Sequence, residues 1–144
     1  MPLESVSGLI EDFNELELAD RLNLLLEFSE NLPELPAKYS DHPDLLERVE
    51  ECQSPIYLFV EVDAHEPHEV RLFFTAPAES PTTRGFASVL QNALDGHSAA
   101  EILAVDDDFP DSLGLTQAVS PLRMRGMRGM LQRIKRNIRE KTKP

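Results

Sequence analysis

Hydrophobic residues in this chain change period twice, and that change limits the folds open to it more than any other feature. Apolar residues recur at helical spacing as far as Leu32, alternate every second residue from Ile56 to Thr75, and return to helical spacing from Phe86 onward. In the alternating stretch Ile56, Leu58, Val60 and Val62 point to one side, while Tyr57, Phe59, Glu61 and Asp63 point to the other. A polar turn over residues 64–69 separates them from a second run, in which Val70, Leu72 and Phe74 alternate with Arg71, Phe73 and Thr75. This predicts an antiparallel hairpin. A hairpin alone is marginal in water, so a third strand is expected before or after the pair. Phe59 and Phe73 give both faces apolar character, and helices are expected to cover at least one of them.

The flanking blocks read as amphipathic helices. Val6, Leu9, Ile10 and Phe13 form one stripe, with Ser5 as its candidate N-cap, and Leu18, Leu22, Leu25 and Leu26 form the next. Pro33 and Pro36 stop helix growth because neither donates a backbone hydrogen bond. Residues 33–44 are expected as a connecting loop, and Leu45–Val49 as one more short helical turn. After the hairpin, Phe86, Val89, Leu90, Ala93 and Leu94 make a stripe that Gly96 ends. Arg84 precedes that stripe, and Gly85 there serves either close packing or a turn. Ser98 and Glu101 have capping-box spacing, and Pro110 suits the opening of a brief turn through Leu113. The final helix starts near Pro121. Met127, Met130, Leu131, Ile134 and Ile138 form its stripe, and Arg128, Lys135, Arg136 and Arg139 fall on the other side. The predicted class is α+β, helices packed on a small antiparallel sheet, and 144 residues suit one core.

Charge is divided unevenly along that pattern. Residues 1–122 carry 25 acidic and five basic side chains, whereas residues 123–144 carry nine basic and one acidic, within a net charge of −12. A basic tail of this kind often binds nucleic acid, but here its charges are threaded through an apolar helical stripe. No aromatic side chain follows Phe109 to stack on bases, and the acidic remainder repels phosphates. The expected uses of the basic face are solvation or contact with protein, with no nucleic-acid partner. No run of apolar residues is long enough to span a bilayer, and the start, Met1-Pro2-Leu3-Glu4, lacks a basic region followed by an apolar stretch. No membrane association is expected, and the expected location is the cytoplasm.

Cys52 is the one cysteine, which excludes an intrachain disulfide and any cysteine-built metal cage from a single chain. It lies in Glu50-Glu51-Cys52-Gln53-Ser54-Pro55, a loop or strand entry, where it is either a small buried hydrophobe or a working thiol. Neighbouring carboxylates disfavour the thiolate, and no basic neighbour is near in sequence. His42, His65, His68 and His97 all fall in polar turns or loops, so no Cys–His catalytic pair is expected. His65 and His68 lie three apart around Pro67, without further ligands, and read as a polar turn instead of a metal site. Arg123, four residues before Met127, shares its apolar face if the helix starts at Pro121. A guanidinium there reaches water from the first turn, pairs, or lines a groove.

Leu32-Pro33-Glu34-Leu35-Pro36, Glu51-Cys52-Gln53-Ser54, Arg84-Gly85 and Ser120-Pro121-Leu122-Arg123, followed by Gly126, Met127 and Met130, together resemble the SufE family of sulfur acceptors in iron–sulfur cluster assembly. The likeness runs over roughly residues 5–140 and is greatest to the actinobacterial SufE-like proteins, implying one SufE-like domain over 1–144. The resemblance implies that Cys52 receives sulfur from the persulfide of a PLP-dependent cysteine desulfurase, stimulating it, for onward delivery to an iron–sulfur scaffold. It implies no cofactor or metal held by this chain, PLP belonging to the desulfurase. Family members keep the cysteine loop against an apolar cavity until the desulfurase docks, with Gln53 and Ser54 shaping the loop and Arg123 facing the partner. Two positions depart from the family pattern. Glu51 stands where glycine is usual, which bears on the loop geometry and the route of Cys52 into a donor site, and Tyr57 stands where tryptophan is common. A competing reading is a non-catalytic module that activates a partner through its surface, with Cys52 structural. A third is a nucleic-acid adaptor working through residues 123–143.

Overall fold

The strand that the hairpin needs comes before it. In a computed structural model describing residues 3–143, β1 (Glu47–Arg48), β2 (Tyr57–Val62) and β3 (Val70–Thr75) form an antiparallel sheet in the order β1-β2-β3. Phe59 pairs with Phe73 across the hairpin, and Glu47 pairs with Leu58 on the other edge of β2. Residues 45–49 are therefore not the helical turn their composition suggests. Pro43–Leu45 makes a 3-10 turn, and the chain then extends, because pairing with β2 satisfies backbone groups that an isolated helical turn would leave open.

Helices α1 (Glu4–Asn14), α2 (Leu18–Glu30), α3 (Ala37–Ser40), α4 (Pro81–Leu94), α5 (Ala99–Leu103) and α6 (Pro121–Lys141) complete the α+β architecture, with a 3-10 turn at Phe109–Leu113. Leu58, Val60, Val70, Leu72 and Phe74 are buried on the helix-covered face of the sheet. On the opposite face Tyr39 from α3 lies over Phe59 and Phe73, with ring centroids 4.6 and 4.9 Å away. The expected loop over 33–44 thus contains a short helix, and its aromatic side chain shields the two phenylalanines that made the second face apolar.

Several local expectations resolve at the same time. The Ser98–Glu101 capping box is present in full. Ser5 lies inside α1, whose N-cap is Leu3, and its hydroxyl donates to the Ala93 carbonyl at 2.6 Å instead of capping. Gly85 is a close-packing position: a Cβ there would stand 2.5 Å from the Leu25 carbonyl oxygen of α2. Arg84 is a tie between elements, donating to the carbonyls of Ala76 at 2.6 Å and Ser29 at 3.3 Å.

Helix α6 opens on Ser120, whose hydroxyl accepts from the Arg123 amide at 3.2 Å, followed by Pro121 in the first turn. Met124, Met127, Met130, Leu131, Ile134 and Ile138 are buried beneath it. Its basic face combines both expected uses: Arg128, Arg136 and Arg139 are exposed, while four of its basic side chains pair with carboxylates of the same protein. Arg128 pairs with Asp111 at 2.5 Å, Arg133 with Glu47 and Glu51 at 2.7 Å each, and Arg136 with Glu47 at 2.5 Å. Lys135 is buried outright, 2% exposed, donating to the Val105 carbonyl and pairing with Asp107 at 2.7 Å. The aliphatic stem of lysine packs in a core if its ammonium finds acceptors, and the turn after α5 supplies them. No described helix is long and apolar enough to cross a membrane.

Candidate functional site around Cys52

Residues 49–56 connect β1 to β2 and fold back onto α6. The Val49 amide donates to the Ile56 carbonyl at 3.0 Å, closing the base, and the Cys52 amide donates to the Val49 carbonyl at 3.1 Å, making the tip a tight turn. Pro55, with no amide proton, leaves the ladder there without a donor. Cys52 is 8% exposed although its sequence neighbours are polar. What admits it is α6: a Cβ on Gly126 would lie 2.7 Å from Cys52 Sγ. One turn further along, a Cβ on Gly129 would lie 2.6 Å from Glu51 Cγ. Two mid-helix glycines, each unfavourable by about 1 kcal/mol against alanine, thus form a groove that receives consecutive side chains of the loop.

Beside the thiol is a cavity of about 30 Å³ lined by Cys52, Gln53, Ser54, Thr83, Leu122, Arg123 and Gly126. That is room enough for a water molecule. Thr83 is buried, Gln53 is exposed and Ser54 is half-buried. Leu122 and Arg123, in the first turn of α6, form an exposed rim, Leu122 being 43% exposed. Arg123 reaches water, and among the described residues its side chain takes part in no ion pair. Burial pushes the Cys52 thiol up to about 11, the negative charge of Glu51 adds to the rise, and Arg133 works against it. None of the histidines lines the cavity, so no imidazole is placed to take the thiol proton. Among the described residues no cluster of three or more His, Cys, Asp or Glu side chains is arranged to hold a metal.

The loop accommodates Glu51, where glycine is usual, without a special backbone conformation. Among the described non-glycine residues only His68 has positive φ, so the backbone at position 51 is one that any residue adopts. Its side chain is anchored: Arg133 Nε donates to Glu51 Oε1 at 2.7 Å, and Arg133 Nη1 donates to Glu47 Oε2 at 2.7 Å. Glu47 also accepts from Asn137 Nδ2 at 3.0 Å. The Arg133 bond holds the Glu51 carboxyl below its ordinary range. Burial works against ionised Glu47, yet the bonds from Asn137 and Arg133 bring it below its ordinary range as well. Arg133, Glu47, Gly129 and Thr83 escaped the sequence reading because they approach Cys52 only through tertiary packing. The signal present was the pair of glycines three apart inside a helix, which needs a close neighbour to explain it.

The structure brings Cys52, Gln53, Ser54 and Arg123 to one mouth and turns Glu51 along α6. Comparisons with known proteins bear on the family to which a chain with such a mouth belongs. The SufE family model, described as an Fe-S metabolism associated domain, matches residues 7–138. An uncharacterized SufE-like protein of Mycobacterium tuberculosis is 54% identical over 135 residues, covering 94% of this chain and 92% of that protein. A Plasmodium falciparum protein named cysteine desulfuration protein SufE is 22% identical over 140 residues, covering 87% of this chain and 56% of that one. Among solved structures, the solution structure of a hypothetical protein from Thermus thermophilus superposes with a TM-score of 0.82 at 33% identity, covering 97% of each chain.

Proposed function

This chain belongs to the SufE family, and we propose that it acts there as a sulfur acceptor, taking persulfide sulfur from a cysteine desulfurase onto Cys52 for iron–sulfur cluster assembly. The observation that carries this reading is the seating of the chain's one thiol beside a small cavity of about 30 Å³, beneath an exposed rim of Leu122 and Arg123. In the transfer, Cys52 Sγ attacks the outer sulfur of the donor persulfide. The Sγ–S bond forms, the donor S–S bond breaks, and the donor cysteine leaves as its thiolate, so no external oxidant or reductant enters. PLP belongs to the desulfurase and takes no part in this chain's own chemistry.

The resting state suits a carrier that must not react early. A thiol pushed up to about 11 is almost wholly protonated near neutrality and resists oxidation and stray electrophiles. Since no imidazole lines the cavity, the proton is removed once Cys52 has entered the partner's site. Arg123 and Leu122 offer the partner a charge and an apolar contact at the mouth, while Gln53 and Ser54 shape the loop that delivers the thiol. The loaded sulfur then passes to an iron–sulfur scaffold. The test is intact-mass and peptide mass spectrometry after incubation with a cysteine desulfurase and cysteine. One added sulfur atom should map to Cys52 and be absent from Cys52→Ser; no adduct on the native protein overturns the acceptor role.

Burial of the thiol also favours a second reading, in which Cys52 is structural and the protein stimulates the desulfurase through its surface alone. That reading requires Cys52→Ser to stimulate fully and Arg123→Ala to abolish stimulation. The acceptor reading requires Cys52→Ser to lose sulfur relay.

A further inference from the structure

Arg133 bridges two carboxylates that both precede Cys52 in the chain. One is Glu51, adjacent to the cysteine; the other is Glu47, in β1. The Arg133 side chain is 16% exposed and the two glutamate side chains 28% and 30%, so the bridge is half-buried with its carboxylates within reach of solvent. Asn137 fixes Glu47 from the next turn of α6, and Gly129 leaves room for the Glu51 stem to lie flat on the helix. Glu51 and Cys52 are consecutive, and each rests on its own glycine of α6. Because they are consecutive, an opening of the loop lifts both side chains from the groove together.

We propose that the Glu47–Arg133–Glu51 bridge is an electrostatic clasp that positions Cys52 in its cavity, and that breaking the Arg133–Glu51 arm is the step that makes the thiol available. The functional meaning of the clasp rests on the acceptor reading, since a carrier must release its cysteine to a donor. Its geometry does not depend on that reading. In the closed loop Arg133 spends its donors on the two glutamates instead of the sulfur, and the Glu51 carboxylate stays beside the thiol and disfavours its ionisation. On opening, Glu51 leaves with the loop while Glu47 keeps the guanidinium paired from β1. The clasp therefore has a fixed arm and a moving arm, and the moving arm is the residue next to the sulfur-bearing cysteine. Glutamate at position 51 adds a carboxylate hold on the loop that a glycine lacks.

Hydrogen exchange tests this on the isolated protein, without desulfurase or sulfur. The Cys52 amide is bonded to the Val49 carbonyl, and the Val49 amide to the Ile56 carbonyl, so both exchange when the loop opens. Glu51→Gln keeps the shape and removes the charge. It should speed exchange at Val49 and Cys52 by about tenfold, the loss of one charge-assisted bond, while amides between β2 and β3 stay as protected as before. Arg133→Gln should give a similar local effect, and the double variant no more than the larger single one, since both changes remove the same arm. Salt offers a variant-free check: raising ionic strength should speed Val49 and Cys52 exchange in the native protein and much less in Glu51→Gln. Unchanged exchange at the two amides, or a uniform loss of protection across the sheet, overturns the clasp. Either result leaves sulfur loading of Cys52 to be judged separately by mass spectrometry.

Discussion

Cys52 is quiet because of what surrounds it, and the surroundings can be altered one atom at a time. With its titration pushed up to about 11 against an ordinary 9.0, the native thiol should react with iodoacetamide near neutral pH about a hundredfold more slowly than an unperturbed cysteine. The main cause is burial against Gly126, so Gly126→Ala is the informative change. Its new methyl carbon would stand 2.7 Å from Sγ, a separation that cannot persist. Helix α6 itself gains about 1 kcal/mol in propensity, so the helix remains and the thiol moves. The expected outcome is a thiolate absorbance titration shifted from about 11 back toward 9.0, with faster alkylation and little change in urea midpoint. A titration that stays where it was would show that the Glu51 charge, and not burial on Gly126, raises the thiol.

At the scale of elements, the site depends on helices packed closely enough to leave grooves of single-residue depth. Where α4 meets α2, Gly85 faces backbone: its added Cβ would meet the Leu25 carbonyl oxygen at 2.5 Å. A carbonyl held in a helix cannot swing aside as a side chain does, so Gly85→Ala should destabilise by about 1–3 kcal/mol, read as a lower urea midpoint. An alanine variant as stable as the native protein would mean that the two helices slide apart freely. The contrast with Gly126 separates a packing glycine from one that admits a loop. Both were visible in the sequence, Gly85 just before one helical stripe and Gly126 just before another, but the neighbours that distinguish them lie 60 or more positions away in the chain. The same limit explains what else sequence periodicity left out. The hairpin, the capping box and α6 were legible because each is specified by residues within a few positions. Strand β1 was not, because two residues that extend to pair with β2 carry no period of their own. Lys135 was misplaced on a solvated face because its acceptors, the Val105 carbonyl and Asp107, come from another element. Residue type and position placed Cys52 in a loop and left it either buried or working; its seat on α6 and the clasp that holds it were not legible.

Across the whole molecule, the acidic body and the basic last helix are one electrostatic arrangement. Arg128, Arg133, Lys135 and Arg136 neutralise carboxylates from β1, the cysteine loop and the segment between α5 and α6, so α6 fastens distant parts of the chain together. This ties up four of the nine basic side chains of residues 123–144 in pairs within the protein, and leaves Arg123 at the mouth. The arrangement carries a pH signature. Glu47, Glu51 and Asp107 all titrate below their ordinary values in the folded protein, the first because bonds from Asn137 and Arg133 outweigh burial, the second through its bond to Arg133, and the third through its bond to Lys135. A carboxyl lowered by folding contributes stability that is complete above its unfolded value and is lost as pH falls through that value toward the folded one. For the glutamates the loss therefore begins near 4.5. Acid also relieves self-repulsion in a chain of net charge −12, which acts in the opposite direction, so the native curve alone does not isolate the ion pairs. A difference does. Arg133→Met keeps an apolar stem on α6 but removes the bridging guanidinium, so Glu51 returns toward ordinary titration and Glu47, which keeps Arg136 and Asn137, does so in part. Urea midpoints measured from pH 7 to pH 3 should show the native protein more stable at neutrality, with the two curves converging below about 4.5 as the glutamates protonate. A constant gap over that range would mean that Arg133 stabilises by packing, with no contribution from the charges it bridges.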